Sequence, residues 1–351
     1  MKAKTIEKDI LSTITKWALS IENKELQDLA INEAVVTGGC IASMFLQDPV
    51  NDYDIYFKNI STTFKLTCYY VEKMKQTSSA PLAIRITYDS PNDANLALKT
   101  SIGSGCIAIG NYESEQDYES EYHKEGFWDN KLILKVNPDT FTKPQDQISD
   151  FLDNANRVEV FVKSSGLAEN DDLDQHEHSV EENGKYRPVF LSSNAITLSD
   201  KIQLVIRFIG TPAQIHESYD FVHATNYWTA KEGLVTNSEA LEALLAKELV
   251  YRGSKYPLAS IFRTRKFIKR DWNLHIGNYV KMAMQLNEFD LNDLATLEEQ
   301  LTGVDSLYMH SIISAIKSKR KDDESFKFNS LYVCELCDRM MGLRKEIDGD
   351  S

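Results

Sequence analysis

Apolar residues recur at three- and four-residue spacing over 4–21 (Ile6, Ile10, Leu11, Ile14, Trp17, Ala18, Ile21), which predicts a helix with one buried face. A second short helix is expected over 24–31. AVVTGG (34–39) reads as a short strand running into a turn, because its β-branched residues stop at a glycine pair. Ile41 to Leu46 can start a helix, and Pro49 ends it by disfavouring the α conformation at Asp48. DYDIYF (52–57) alternates polar and apolar positions as a strand does, and 61–75 returns to helical spacing.

The next part is rich in candidate strands: 82–88, 106–110, 131–136 and 158–163, then 188–193, 201–208 and 220–228. From 238 onward the pattern is helical. The expected organisation is a helical lead-in over 1–32, an α+β head with a mixed β-sheet and flanking helices over 33–235, and a helical neck and body over 236–351.

Composition leaves this picture standing: 351 residues, 42% hydrophobic and 26% charged, are ordinary for a globular chain. The net charge of −14 is unevenly spread. Seven acids and no Lys or Arg lie between Glu169 and Glu182, so a polar loop is expected over 166–185. His176 and His178 lie in it, and a solvated loop is favoured there over a metal site. By contrast Arg252, Lys255, Arg263, Arg265, Lys266, Lys269 and Arg270 form a cationic stretch without an acid, a local surface suited to phosphates despite the overall charge. No run approaches the roughly 20 apolar residues of a membrane helix, and the N-terminus lacks a signal-peptide pattern. Five scattered cysteines fit reduced thiols, so a cytoplasmic protein without a membrane partner is expected. Cys334 and Cys337 have no second ligand pair and read as two core-facing thiols of a helix.

The chemistry concentrates in residues 35–57. Gly38 and Gly39 follow a strand and open a helix, where unpaired N–H groups suit phosphate oxygens and the missing Cβ allows close approach. Asp52 and Asp54, two apart on the next strand, share a face. Two carboxylates that close repel unless a cation sits between them, which suits Mg²⁺ or Mn²⁺. Together these features describe a site for a nucleoside triphosphate with its metal.

This constellation resembles the nucleotidyltransferase superfamily of DNA polymerase β, and in particular the head of poly(A) polymerases and CCA-adding tRNA nucleotidyltransferases. The family pattern of an apolar residue, Gly, Gly or Ser, then Asp-x-Asp is met by Thr37-Gly38-Gly39 and Asp52-Tyr53-Asp54. SYDFVHATNYW resembles a later family motif at Asp220 and Phe221, although Ser218 and Tyr219 stand where the family has two arginines. YPLASIFRTRKFIKRDW resembles the neck segment at Arg263, Lys266 and Phe267. Ala42 and Ser43 replace an Arg-Asp of the CCA-adding enzymes, a departure from an orthodox member. The general look is similar to divergent nucleotidyltransferase-like proteins of large bacteriophages, which implies a host cytoplasm.

The resemblance implies a nucleotidyltransferase-fold head and transfer of a nucleoside monophosphate from an NTP. Gly38, Gly39 and the Ser43 hydroxyl would grip the triphosphate, and Asp52 and Asp54 would hold the metals. A third carboxylate is expected on a neighbouring strand; Asp220 ranks first, on a strand where it would share a face with Val222 and Ala224, and Glu159 second. Arg263 and Lys266 would contact the base or triphosphate. An RNA 3′ end, of tRNA or another small RNA, is the first expectation for the acceptor, supported by the cationic stretch. The alternatives are a toxin or regulator that modifies a protein or tRNA, and an inactive binding or structural module.

Overall fold

The computed structural model describes residues 2–77, 82–88, 106–109, 132–136, 152, 154–162, 185–301, 306–322 and 326–347. The expected acidic loop over 166–185 lies almost wholly outside them, with His176 and His178. The chain divides into two units: Met1–Ser218 with His223–Leu244, and Tyr219–Val222 with Leu245–Ser351.

The first unit opens with α1 (Ala3–Leu19) and α2 (Lys24–Asn32). The Asn23 side chain caps α2 by accepting from the Leu26 N–H. The spacing noted in α1 becomes a buried stripe: Ile6, Ile10, Ile14 and Trp17 are fully buried. Burying side chains of this size stabilises by roughly 1.5–3 kcal/mol each. The one polar atom in the stripe is satisfied, since the Trp17 indole N–H donates to the Tyr70 hydroxyl at 2.8 Å. The lead-in thus shares one core with the sheet, Trp17 packing beside Phe57.

β1 (Ala34–Thr37), α3 (Gly39–Leu46), β2 (Tyr53–Phe57) and α4 (Ile60–Thr77) follow. They precede β3 (Leu82–Tyr88), β4 (Cys106–Ile109), β5 (Leu132–Val136) and β6 (Ala155–Val162), which form an antiparallel sheet in the order β4-β5-β3-β6. Alternation on β3 sends Ile84, Ile86 and Tyr88 into the common core. β7 (Pro188–Leu191), β8 (Ala195–Leu198) and β9 (Ile202–Ile209) come next. After them come α5 (Pro212–His216), β10 (Tyr227–Thr229) and β11 (Gly233–Val235). The main sheet runs β11-β10-β1-β2-β9-β8-β7, with β2 parallel to β9 and its other pairs antiparallel. The molecule is therefore mixed α/β with a mixed sheet, as expected.

On the main sheet Ala34, Val36, Ile55, Phe57, Ile202, Leu204 and Ile206 face the core. The period-2 alternation places Val35, Thr37, Asp54, Tyr56 and Gln203 on the opposite face. β8, β11 and α5 are additions to the pattern read from sequence. α5 has a readable signal: Thr211-Pro-Ala-Gln214 is a complete capping box with proline at the first helical position. The expected strand over 220–228 is corrected. Val222–Ala224 is a short 3-10 turn and the strand begins only at Tyr227.

The division between units falls in α6 (Ser238–Ala246). The second unit holds α7 (Pro257–Ile268), α8 (Ile276–Leu286), α9 (Leu294–Gln300), α10 (Ser306–Asp322) and α11 (Ser330–Ile347). Leu258, Leu297, Ile312, Ile316, Phe328 and Leu336 are among its core residues. On α11 Cys337 is half-buried, and burial pushes its thiol up to about 11, whereas Cys334 is exposed. Only one of the two thiols therefore turns inward.

Candidate functional site

Gly38 caps α3 with φ 87° and ψ −142°, a conformation that glycine alone adopts readily. Its N–H donates to the Ala224 carbonyl at 3.2 Å. The next amides, of Gly39, Cys40 and Ile41, belong to a first helical turn that has no intrahelical acceptors. Gly39 is exposed, and a Cβ built on it would meet no heavy atom within 4 Å. The N-terminus of α3 thus opens onto space, with the positive end of the helix dipole behind it. Ser43 lies one turn farther along α3 and is half-buried.

Cys40 ties this turn to the end of β1. Its thiol donates to the Thr37 carbonyl at 3.7 Å. Burial first, and the Asp54 charge second, push the thiol up to about 12, so it stays protonated and unreactive. β2, which carries Asp54, packs against α3. Asp52 precedes β2 and is exposed, while Asp54 lies within the strand and is half-buried. The Tyr53 N–H between them donates to the Lys201 carbonyl at 2.7 Å. Along the parallel pair, Asp54 is in register with Gln203 of β9. The neighbouring strand therefore presents an amide beside Asp54.

Glu159 belongs to the second sheet, 4% exposed, with its carboxylate 2.9 Å from Arg157 and 3.8 Å from Arg85. Asp220 belongs to the second unit and pairs with Arg263. The Asp220 carboxylate is almost fully buried, which makes this cation its charge partner, and the Asp220 carbonyl accepts from the Arg252 N–H at 2.8 Å. Next to it Phe221 packs on Tyr251 and Phe267, and Phe267 on Trp272. The two stretches that separately resembled family motifs thus meet residue to residue, Asp220 with Arg263 and Phe221 with Phe267. Tyr251 is pushed up to about 12, by burial foremost, with a smaller contribution from Asp220. Lys266 and Arg270 on the same stretch are exposed.

Sequence reasoning missed the support beneath the glycine turn. Thr37 is fully buried, and its hydroxyl lies 2.8 Å from the Asn226 carbonyl and 2.8 Å from His216 Nε2. His216 ends the capped α5, and its ring stands edge-on to Tyr227, the cross-strand partner of Thr37. The capping box could have flagged α5; nothing in the spacing of Thr37 and His216 links them.

Among the described residues no group of three or more His, Cys, Asp or Glu side chains could hold a metal ion unaided, and no described helix is long and apolar enough to cross a membrane. Asp54 on a strand packed against α3, with Asp52 two residues ahead of it, nonetheless offers a donor set of the kind Mg²⁺ takes, since this ion commonly binds one or two protein carboxylates and completes its shell with substrate phosphates and water. In comparisons with known proteins, residues 7–247 match the model of the Gabija anti-defense 2 family. No match was found among curated proteins or among solved structures.

Proposed function

The chain belongs to the Gabija anti-defense 2 family, a phage-related group, and from that premise we propose that its first unit is a metal-dependent nucleotidyltransferase directed against the defence system in the family's name. The observation that carries the proposal is the Asp54 strand packed against α3, a helix whose glycine turn opens onto space at Gly39. The amides of Gly39, Cys40 and Ile41 would receive triphosphate oxygens, and Gly39 leaves room for them. The Ser43 hydroxyl, one turn along, would add a donor. Asp52 and Asp54 would hold the metal; once bound, Mg²⁺ supplies charge neutralisation at the α-phosphate and activates the attacking oxygen. With Gln203 beside Asp54, the two aspartates carry the metal-binding charge of this face.

Of the acceptors, a component of the defence system fits best, because the family is named for countering it. The RNA 3′ end is the second reading, favoured by the exposed Lys266 and Arg270. The test is to incubate the protein with each α-labelled NTP and Mg²⁺, once with total RNA and once with purified Gabija proteins. Label transferred in one arm, and abolished by Asp52→Asn or Asp54→Asn, is expected. Transfer that persists in both variants would show that the metal assignment is wrong. For the RNA arm, replacing Lys266 and Arg270 by Gln should lower the log–log salt slope of binding by about 1.4, since each single-strand phosphate contact releases about 0.7 of a counterion.

A further inference from the structure

The Thr37 hydroxyl carries one proton and has three neighbours: Asn226 O at 2.8 Å, Ala224 O at 3.3 Å and His216 Nε2 at 2.8 Å. Two oxygens 2.8 Å apart need a proton between them, so the hydroxyl donates to Asn226. It must then accept from His216, which places a proton on Nε2. The adjoining Gly38 N–H donates to Ala224 O at 3.2 Å, and the Thr37 carbonyl accepts from the Cys40 thiol. One buried residue thus anchors the glycine turn on both sides, to the 224–226 segment and to α3, and His216 holds that residue. The imidazole has little freedom: it is 7% exposed, it packs against Tyr227, and its backbone ends a helix closed by a complete capping box.

We infer that His216 is a positioning residue for the phosphate-binding turn, acting through Thr37 to fix the backbone of Gly38 and so the direction in which the first amides of α3 point. The inference rests on the nucleotide reading above. His216 touches neither substrate nor metal in this role. It sets the geometry of the donors that do, and a hydrogen bond aimed poorly weakens steeply.

The test uses two probes on the full chain with Mg²⁺: ATP, and inorganic tripolyphosphate, which reports the phosphate cradle without base or sugar. His216→Ala should weaken both by about tenfold, the size of one net hydrogen bond. His216→Gln, whose side-chain N–H can reach the place of Nε2, should recover most of the loss, which a merely space-filling role would not predict. Thr37→Val keeps the shape and removes the hydroxyl, so it should reproduce the loss and serves if His216→Ala fails to fold. With glycine-specific ¹⁵N labelling the chain has 15 glycines. The amide signals of Gly38 and Gly39 should shift in His216→Ala and Thr37→Val and return in His216→Gln. Wild-type affinity for both probes in His216→Ala and Thr37→Val, with those signals unmoved, would overturn the inference alone. Wild-type protein that binds neither probe would overturn the nucleotide reading and the inference with it.

Discussion

Adjacent glycines of the same turn should respond oppositely to alanine. At Gly38 the backbone sits at φ 87° and ψ −142°, and a Cβ there strains the chain by roughly 1–3 kcal/mol. At Gly39 the backbone is helical and a Cβ meets nothing within 4 Å. Alanine in a helix is favoured over glycine by roughly 0.5–1 kcal/mol, through the entropy glycine loses on folding. The two variants, one residue apart and one methyl each, should therefore differ by about 1.5–4 kcal/mol. Urea denaturation followed by tryptophan fluorescence measures this, since Trp17 and Trp228 are buried in the first unit's core. Binding then separates structure from function. The Gly39→Ala methyl occupies the open space where a phosphate would lie, so this variant should be the more stable protein and the poorer binder of Mg²⁺-tripolyphosphate. Gly38→Ala as stable as wild type would refute the positive φ. Gly39→Ala destabilised by more than about 1 kcal/mol would refute the open space.

Three further outcomes are expected. Burial lowers His223 to about 4 from its ordinary 6.5, so at pH values between these the unfolded chain binds a proton that the folded chain refuses; stability should fall by about 3 kcal/mol as pH drops from 6.5 to 4, and His223→Gln should flatten that part of a urea-midpoint profile. Arg263→Gln strands the buried Asp220 carboxylate and should cost the second unit about 2–4 kcal/mol, below the full range for a buried pair because the guanidinium is one-third exposed; adding Asp220→Asn should restore most of it in a double-mutant cycle, and strict additivity would show that the pair does not interact. Glu159→Gln leaves two guanidiniums without their shared carboxylate and should lower the melting temperature, yet leave Mg²⁺-ATP affinity unchanged; a lost affinity would return Glu159 to the site.

Local features of the fold were legible because they are written in consecutive residues. The α1 stripe, the strand entering Gly38-Gly39, the helix stopped before Pro49 and the Asp-x-Asp strand each follow from periodicity or from a backbone restriction of one residue type. The placement of Asp52 and Asp54 after a glycine turn was therefore available before any coordinates. The segment 220–228 was misjudged because its apolar residues bury themselves in a turn and a single bridge, Phe221 with Tyr251, and a buried turn leaves the same apolar trace as a short strand.

What the sequence could not determine is which distant residues share a site. Asp220 and Glu159 are both acids near apolar runs, and composition treats them alike. Tertiary structure gave each a cation, Arg263 for one and the Arg85–Arg157 pair for the other, because a buried carboxylate is tolerated only with a compensating charge. It also put Gln203 beside Asp54 and His216 beneath Thr37, across 149 and 179 residues of chain. Spacing along a chain encodes the direction of a side chain within its own element. The neighbour it meets is set by strand order and register, which depend on how all the apolar faces close together.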